Sequence, residues 1–159
     1  MKKIILKRLG QKRTSEYIPK DPTILIRIVN PFGKQSVYTS MDESLYVDVL
    51  HLKFSDVDLY RYPIKTKEYY MTNIRKRNHE NIVFFDEKMA KQILTFVKKN
   101  INKCDMILCH CLGGFSRSPG VLMGLKKSFE ECNYEKFNPS YYNKFVSETI
   151  IKTSENTGY

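Results

Sequence analysis

The sequence predicts an α/β protein in which a central, mainly parallel sheet is flanked by helices. The apolar segment 105–110 stands between an amphipathic helix pattern over 86–100 and a further helix pattern from residue 118. A strand-helix-strand order implies parallel pairing through a crossover connection. The 159 residues suit a single domain, and we expect it to occupy 1–159 with a core over about 20–150.

Three segments ahead of the first clear helix are predicted to be strands. The start of the chain, MKKIILKRLGQKR, holds a short apolar run broken by Lys7 and Arg8, and we interpret it as a strand rather than a signal peptide. TILIRIV at 23–29 is rich in β-branched residues, and LYVDVLHLKF at 45–54 contains an alternating stretch. Residues 55–85 show little periodicity, and so long a connection is uncommon unless it is functional or partly helical.

Three helices are predicted in the second half of the chain. In DEKMAKQILTFVKKN, at 86–100, apolar residues recur at helical spacing and Asp86 can cap the N-terminus. SPGVLMGLKKSFEEC carries Pro119 in its first turn, where a missing N–H costs nothing. NPSYYNKFVSETIIK is predicted to be the last helix with Asn138 as its cap, and the tail TSENTGY is expected to be frayed.

The charge and the cysteines restrict the environment and the partners. The formal net charge of +10 favours anionic partners such as nucleic acid, an acidic membrane surface or a phosphorylated substrate, although composition alone slightly favours a solvated lysine-rich surface. No apolar run reaches the roughly 18 residues of a membrane span. The four cysteines lack the spacing of a disulfide framework or a zinc site, so we expect reduced thiols, no metal and a cytoplasmic location.

The segment CHCLGGFSRSPG, residues 109–120, predicts a site for an oxyanion. A loop between a buried strand and a helix N-terminus directs backbone N–H groups towards an anion. Gly113 and Gly114 let the backbone approach that anion closely, and Arg117 adds a fork of donors that suits a phosphate. The same positive surroundings favour a thiolate at Cys111, which can attack phosphorus.

The nine residues HCLGGFSRS match the H-C-x-x-G-x-x-R-S/T signature of cysteine-dependent protein tyrosine phosphatases. The chain resembles most the compact dual-specificity phosphatases, including the small bacterial and phage proteins of that type. Looser similarity extends over about residues 20–150 through ILIRI, VLHLKFSDVD, FDEKMAKQILTFVKKN and FNPSYYNKFV. The resemblance implies a dual-specificity phosphatase-like fold and an enzyme that requires no cofactor.

The resemblance also implies a role for each residue of the signature. Cys111 would form a phosphocysteine, Arg117 would hold the equatorial phosphate oxygens, and Ser118 would stabilise the leaving thiolate. His110 would orient the loop by hydrogen bonding without carrying protons. The phosphate would be bound by the loop residues Leu112, Gly113, Gly114, Phe115, Ser116 and Arg117.

An aspartic acid must protonate the leaving oxygen in such a mechanism and then activate water. Asp56 follows the strand VLHLKF directly and is our candidate, with Asp58 as its rival. Both could instead be solvated loop charges.

The predicted function is hydrolysis of phosphotyrosine, with phosphoserine and phosphothreonine as further substrates. Phosphoinositide or the 5′ phosphate of RNA are alternatives, as is a non-catalytic phosphate-binding module. The loop interior LGGFS carries no lysine or arginine, which phosphoinositide phosphatases of this superfamily usually place there. The presence of Cys111, Arg117 and Ser118 argues against a module without catalysis.

Overall fold

The computed structural model describes residues 1–78, 82–133 and 136–159, with side chains described outside 74–78. Within these ranges the sheet has four parallel strands, in the order β1-β4-β2-β3. The strands are β1 (Ile5–Gly10), β2 (Thr23–Val29), β3 (Asp48–Lys53) and β4 (Met106–Cys111). The prediction of an α/β fold around a parallel sheet is therefore confirmed.

The helices are α1 (Gln11–Glu16), α2 (Lys67–Asn78), α3 (Glu87–Asn100), α4 (Arg117–Ser128) and α5 (Lys144–Thr157). The main core lies where α3 and α4 pack on one face of the sheet and α5 packs on both helices. A smaller cluster around Leu25, Tyr46 and Leu108 covers the other face. With both faces covered, every residue of β2 is buried, as the apolar run TILIRIV predicts.

The strand predicted at the start of the chain is confirmed, because β1 pairs with β4 along its whole length. The end of the chain differs most from the sequence-based expectations. Helix α5 is capped by Asn143, whose side chain accepts a hydrogen bond from the Val146 N–H at 3.1 Å, and the prediction of Asn138 as the cap is wrong. The expectation of a frayed tail is also wrong, because α5 continues to Thr157 and Gly158 ends it in the left-handed conformation.

The weakly periodic region 55–85 contains helix α2, which agrees with the expectation that so long a connection is partly helical. Residues 79–81 of that region lie outside the described ranges. No helix in the described ranges has the length and apolar character needed to cross a membrane.

Candidate active site

The candidate site lies at the carboxyl end of β4, the strand that stands between β1 and β2. Cys111 is the last residue of β4 and Arg117 is the first residue of α4, so the predicted loop joins a buried strand to a helix N-terminus. Ligands of parallel α/β sheets bind beyond the carboxyl ends of the strands. The loop therefore occupies the edge of the sheet where a ligand is expected.

The loop conformation depends on a glycine at position 114. Gly114 has φ +77°, and a Cβ atom there would lie 2.7 Å from the Leu9 carbonyl carbon and 2.8 Å from the Gly10 nitrogen. Any larger residue would meet both backbone strain and the backbone of β1. The Arg8 guanidinium reinforces the same contact, because its Nη1 donates a hydrogen bond to the Gly114 carbonyl at 3.1 Å.

The thiol of Cys111 lies next to a hydroxyl. Its Sγ is 3.3 Å from the Ser118 Oγ, and both side chains are almost fully buried. A serine hydroxyl can donate a hydrogen bond to a thiolate and so lower the free energy of the charged sulfur. This pair can therefore support sulfur both as a nucleophile and as a leaving group.

Arg117 is buried and held by backbone. Its Nη1 donates a hydrogen bond of 2.8 Å to the carbonyl of Phe54, the residue that follows β3. Its Nε is buried without an acceptor among the described residues. A buried guanidinium donor without an acceptor is costly, and a phosphate oxygen is the kind of acceptor that it suits.

Asp56 is held against the loop, although its side chain is exposed to solvent. Its Oδ1 accepts hydrogen bonds from the Ser116 hydroxyl at 2.7 Å and from the Asn143 Nδ2 at 3.1 Å. The Asn143 backbone N–H also donates to the Ser116 carbonyl at 3.0 Å. Asn143 thus connects the loop, the segment after β3 and the start of α5.

Asp58 has a different environment. It is 8% exposed, and its carboxylate accepts hydrogen bonds from the backbone N–H groups of Tyr60, Lys144 and Phe145 at 3.0–3.1 Å. Carboxylates at a helix N-terminus satisfy N–H groups that have no partner within the helix. Asp58 therefore fixes the start of α5 to the segment that carries Asp56.

His110 and Arg27 form a buried polar pair beside the nucleophile. The Arg27 Nε donates to the His110 Nε2 at 3.1 Å, and the two residues face each other across β2 and β4. Burial, together with the charge of Arg27, lowers the pKa of His110 from 6.5 to about 4. Because Nε2 accepts this bond, the proton of the neutral ring is on Nδ1.

Arg27 also connects the buried His110 to residues nearer the surface. Its Nη1 bonds to Glu43 Oε2 at 3.0 Å, and the same oxygen lies 2.6 Å from His51 Nε2. A buried cation needs such partners, since isolated burial of charge is strongly unfavourable. The signal for Arg27 was present in the sequence as a lone charge within TILIRIV.

The structure brings the predicted site residues together. The Cys111 sulfur contacts the Ser118 hydroxyl, and Arg117 precedes Ser118 at the start of α4. Asp56 contacts the loop through Ser116, and His110 precedes Cys111 in β4. In the loop, the side chains of Leu112 and Phe115 are 43% and 71% exposed. The Nε2 of the His110 ring accepts a hydrogen bond from Arg27, and the role of His110 in orienting the loop stays a prediction. Arg27 and Asn143 are the residues that sequence reasoning missed.

Comparison with known proteins identifies the fold. No family model matches the sequence. No curated protein matches it either. Among solved structures, the chain is similar to the crystal structure of Tk-PTP, a protein tyrosine phosphatase, in its active form, with a TM-score of 0.55 and 16% sequence identity. The match covers 98% of this chain and 93% of that chain. The fold is protein tyrosine phosphatase-like. The predicted phosphatase signature therefore lies in a chain with the fold that such a signature requires.

Proposed function

We propose that the protein is a cysteine-dependent phosphatase that hydrolyses phosphotyrosine, and also phosphoserine and phosphothreonine, in proteins. The observation that carries the proposal is the proximity of the Cys111 sulfur to the Ser118 hydroxyl, beside a buried arginine with an unused donor. A nucleophile, a fixed cation and a carboxylate then converge on one loop.

In the first step, the Cys111 thiolate attacks phosphorus and the bond between phosphorus and the substrate oxygen breaks. Arg117 and the loop N–H groups stabilise the charge on the equatorial oxygens, and the bond from Arg117 to the Phe54 carbonyl keeps the guanidinium in place. Asp56 gives its proton to the departing phenolate or alkoxide. The products are a phosphocysteine and the dephosphorylated side chain.

In the second step, water attacks the phosphocysteine while Asp56 accepts a proton from that water. The sulfur–phosphorus bond breaks, and its electrons return to Cys111 as a thiolate. The Ser118 hydroxyl, 3.3 Å from that sulfur, stabilises the leaving thiolate. Inorganic phosphate leaves and Asp56 is again protonated, which restores the starting state.

The assignment of Asp56 rather than Asp58 is supported by their contacts. Asp56 is exposed and its Oδ2 accepts no hydrogen bond from the described residues, whereas both oxygens of Asp58 accept backbone N–H groups. A general acid must reach the substrate with a protonated oxygen. Because both oxygens of Asp58 are occupied by backbone N–H groups, these contacts favour a purely structural role.

A phosphate-release panel tests the substrate class. The full chain is assayed on a phosphotyrosine peptide, a phosphoserine peptide, a phosphoinositide and an RNA with a 5′ triphosphate. We expect the phosphotyrosine peptide to have the highest kcat/KM. Faster turnover of the phosphoinositide or the RNA would replace the protein-phosphatase assignment with one of those activities, and no release from any substrate would support a non-catalytic module.

A further inference from the structure

An open cleft of about 440 Å³ lies beside the candidate loop, on the side of β1 and α1. We call it the flank cleft. It is lined by Arg8, Leu9, Gly10, Lys12, Arg13 and the loop residues 112–115. It shares residues 112–115 with the candidate phosphate-binding loop, whereas Cys111, Arg117 and Asp56 do not line it, so it adjoins the phosphate site described above.

The flank cleft carries three positive charges and no carboxylate among its lining residues. In the described part of the chain, Arg8, Lys12 and Arg13 form no ion pair. The Arg8 guanidinium is tied to the Gly114 carbonyl, so one charge is fixed to the loop itself. Lys12 and Arg13 are exposed on α1. Three cations without counter-ions around one cleft produce a potential that attracts an anion.

The flank cleft begins next to the nucleophile. Gly10 pairs with Cys111 across β1 and β4, and neighbouring strands are about 4.8 Å apart. Leu112, which follows Cys111 directly, lines the cleft, and its carbonyl accepts a hydrogen bond from the Gln11 N–H at 3.1 Å. An extended peptide advances roughly 3.3–3.6 Å per residue. A side chain two or three residues from the phosphorylated one can therefore reach the cleft.

The rim between the two sites suits a peptide. Leu112 and Phe115 expose apolar side chains there, and these can pack against a peptide backbone and its side chains. Single-stranded nucleic acid is held by successive aromatic rings on which its bases stack. Of the residues that line the flank cleft, Phe115 alone is aromatic.

We propose that the flank cleft is a specificity subsite for a second anionic side chain of the substrate, either acidic or phosphorylated, two or three residues from the phosphotyrosine. The proposal rests on the proposed phosphatase function. The exposed side chains of Lys12 and Arg13 bind the second anion, and Arg8 adds a positive charge that is fixed beside the loop. The enzyme then selects doubly anionic peptide segments over neutral ones.

The test compares kcat/KM for two phosphotyrosine peptides that differ in one feature, glutamate or glutamine at the positions two and three residues on either side. We expect the acidic peptide to be preferred by roughly 3- to 10-fold at low ionic strength, the range expected for two exposed ion pairs, and the preference to shrink with added salt. In a Lys12→Gln/Arg13→Gln variant the ratio should fall to about one. Arg13→Glu should reverse it in favour of a peptide with lysines at those positions.

The matched control is Lys88→Gln/Lys91→Gln on α3, which removes the same net charge away from the loop. It should keep the preference for the acidic peptide. An equal loss in the control, or an unchanged ratio in the Lys12/Arg13 variant, would overturn the subsite. The subsite would also be overturned if the two substitutions weakened binding of single-stranded RNA but left the kcat/KM for both peptides unchanged. Absence of all peptide turnover in the wild type would overturn the phosphatase proposal itself, and the subsite with it.

Discussion

The carboxylate of Asp56 accepts a hydrogen bond of 2.7 Å from the hydroxyl of Ser116. This contact joins the segment after β3 to the loop that begins at Cys111. It places the candidate acid beside the candidate nucleophile without burying the carboxylate, which remains exposed. Two residues further on, Asp58 is buried and is used to cap α5.

The first prediction follows from this difference between the two aspartates. Asp56→Asn should lower kcat on a phosphopeptide by roughly 10²–10⁴-fold with little change in substrate affinity, because an amide cannot protonate the leaving oxygen. The variant should also lose the basic limb of the pH–rate profile. The effect should be smaller for p-nitrophenyl phosphate, whose leaving group needs less protonation.

Asp58→Asn is the matched control. We expect it to lower the free energy of unfolding by about 1–2 kcal/mol through weaker capping of α5, with a much smaller effect on kcat. Urea denaturation and steady-state kinetics on both variants separate these outcomes. A larger kcat defect in Asp58→Asn than in Asp56→Asn would move the acid to Asp58.

The second prediction concerns the guanidinium of Arg117. Arg117→Lys keeps the charge but lacks the fork that reaches both the Phe54 carbonyl and a phosphate. We expect kcat to fall by roughly 10²–10³-fold and competitive inhibition by vanadate to weaken in parallel. Circular dichroism should show an unchanged fold. Near-normal turnover in a folded Arg117→Lys protein would contradict the role of the fork.

The sequence was sufficient for the parts of the site that are contiguous in the chain. Cys111, Gly114 and Arg117 lie within one segment, between an apolar run that predicts a strand and a pattern that predicts a helix, and the structure contains both elements. Asp56 could be nominated because it follows the end of a recognisable strand. Its contact with Ser116 spans 60 residues of sequence and was not predictable.

The parts that the sequence did not predict depend on tertiary contacts. Asn138 and Asn143 are both good capping residues, so the sequence does not decide between them. In the structure the helix begins after Asn143, because Asp58 accepts hydrogen bonds from the first N–H groups that follow it. Arg27 is a lone charge in an apolar strand, and its partner His110 is brought to it only by the pairing of β2 with β4. Single-sequence periodicity carries no information on such pairing.

The third prediction is a pH dependence of stability due to His110. Its pKa is about 4 in the folded protein and 6.5 when exposed, so between these values the unfolded chain binds more protons. Stability should therefore fall as the pH is lowered from 6.5 to 4, by up to roughly 3 kcal/mol from this residue. Urea denaturation across this range should show that the free energy of unfolding depends less steeply on pH in His110→Gln than in the wild type. If the free energy of unfolding changed equally with pH in the two proteins, His110 would not be buried in its neutral form.

The fourth prediction concerns oxidation. Hydrogen peroxide should inactivate the enzyme through Cys111, with recovery by thiol at low dose. Burial raises the pKa of the Cys104, Cys109 and Cys132 thiols, so each is a poor source of the thiolate needed to resolve a sulfenic acid. Peptide mapping should thus find Cys111 oxidised further at high dose. An intramolecular disulfide as the main product would contradict this expectation.

The most direct measurement of the central claim is detection of phosphate on Cys111 during turnover. The full chain, treated with a metal chelator, is mixed with p-nitrophenyl phosphate, quenched in acid and mapped by mass spectrometry. Ser118→Ala should increase the amount trapped, because the hydroxyl 3.3 Å from the sulfur no longer assists its departure. The account predicts phosphate on the peptide that contains Cys111 and no turnover in Cys111→Ser. Hydrolysis that persists in Cys111→Ser, or that requires an added divalent metal, would contradict it.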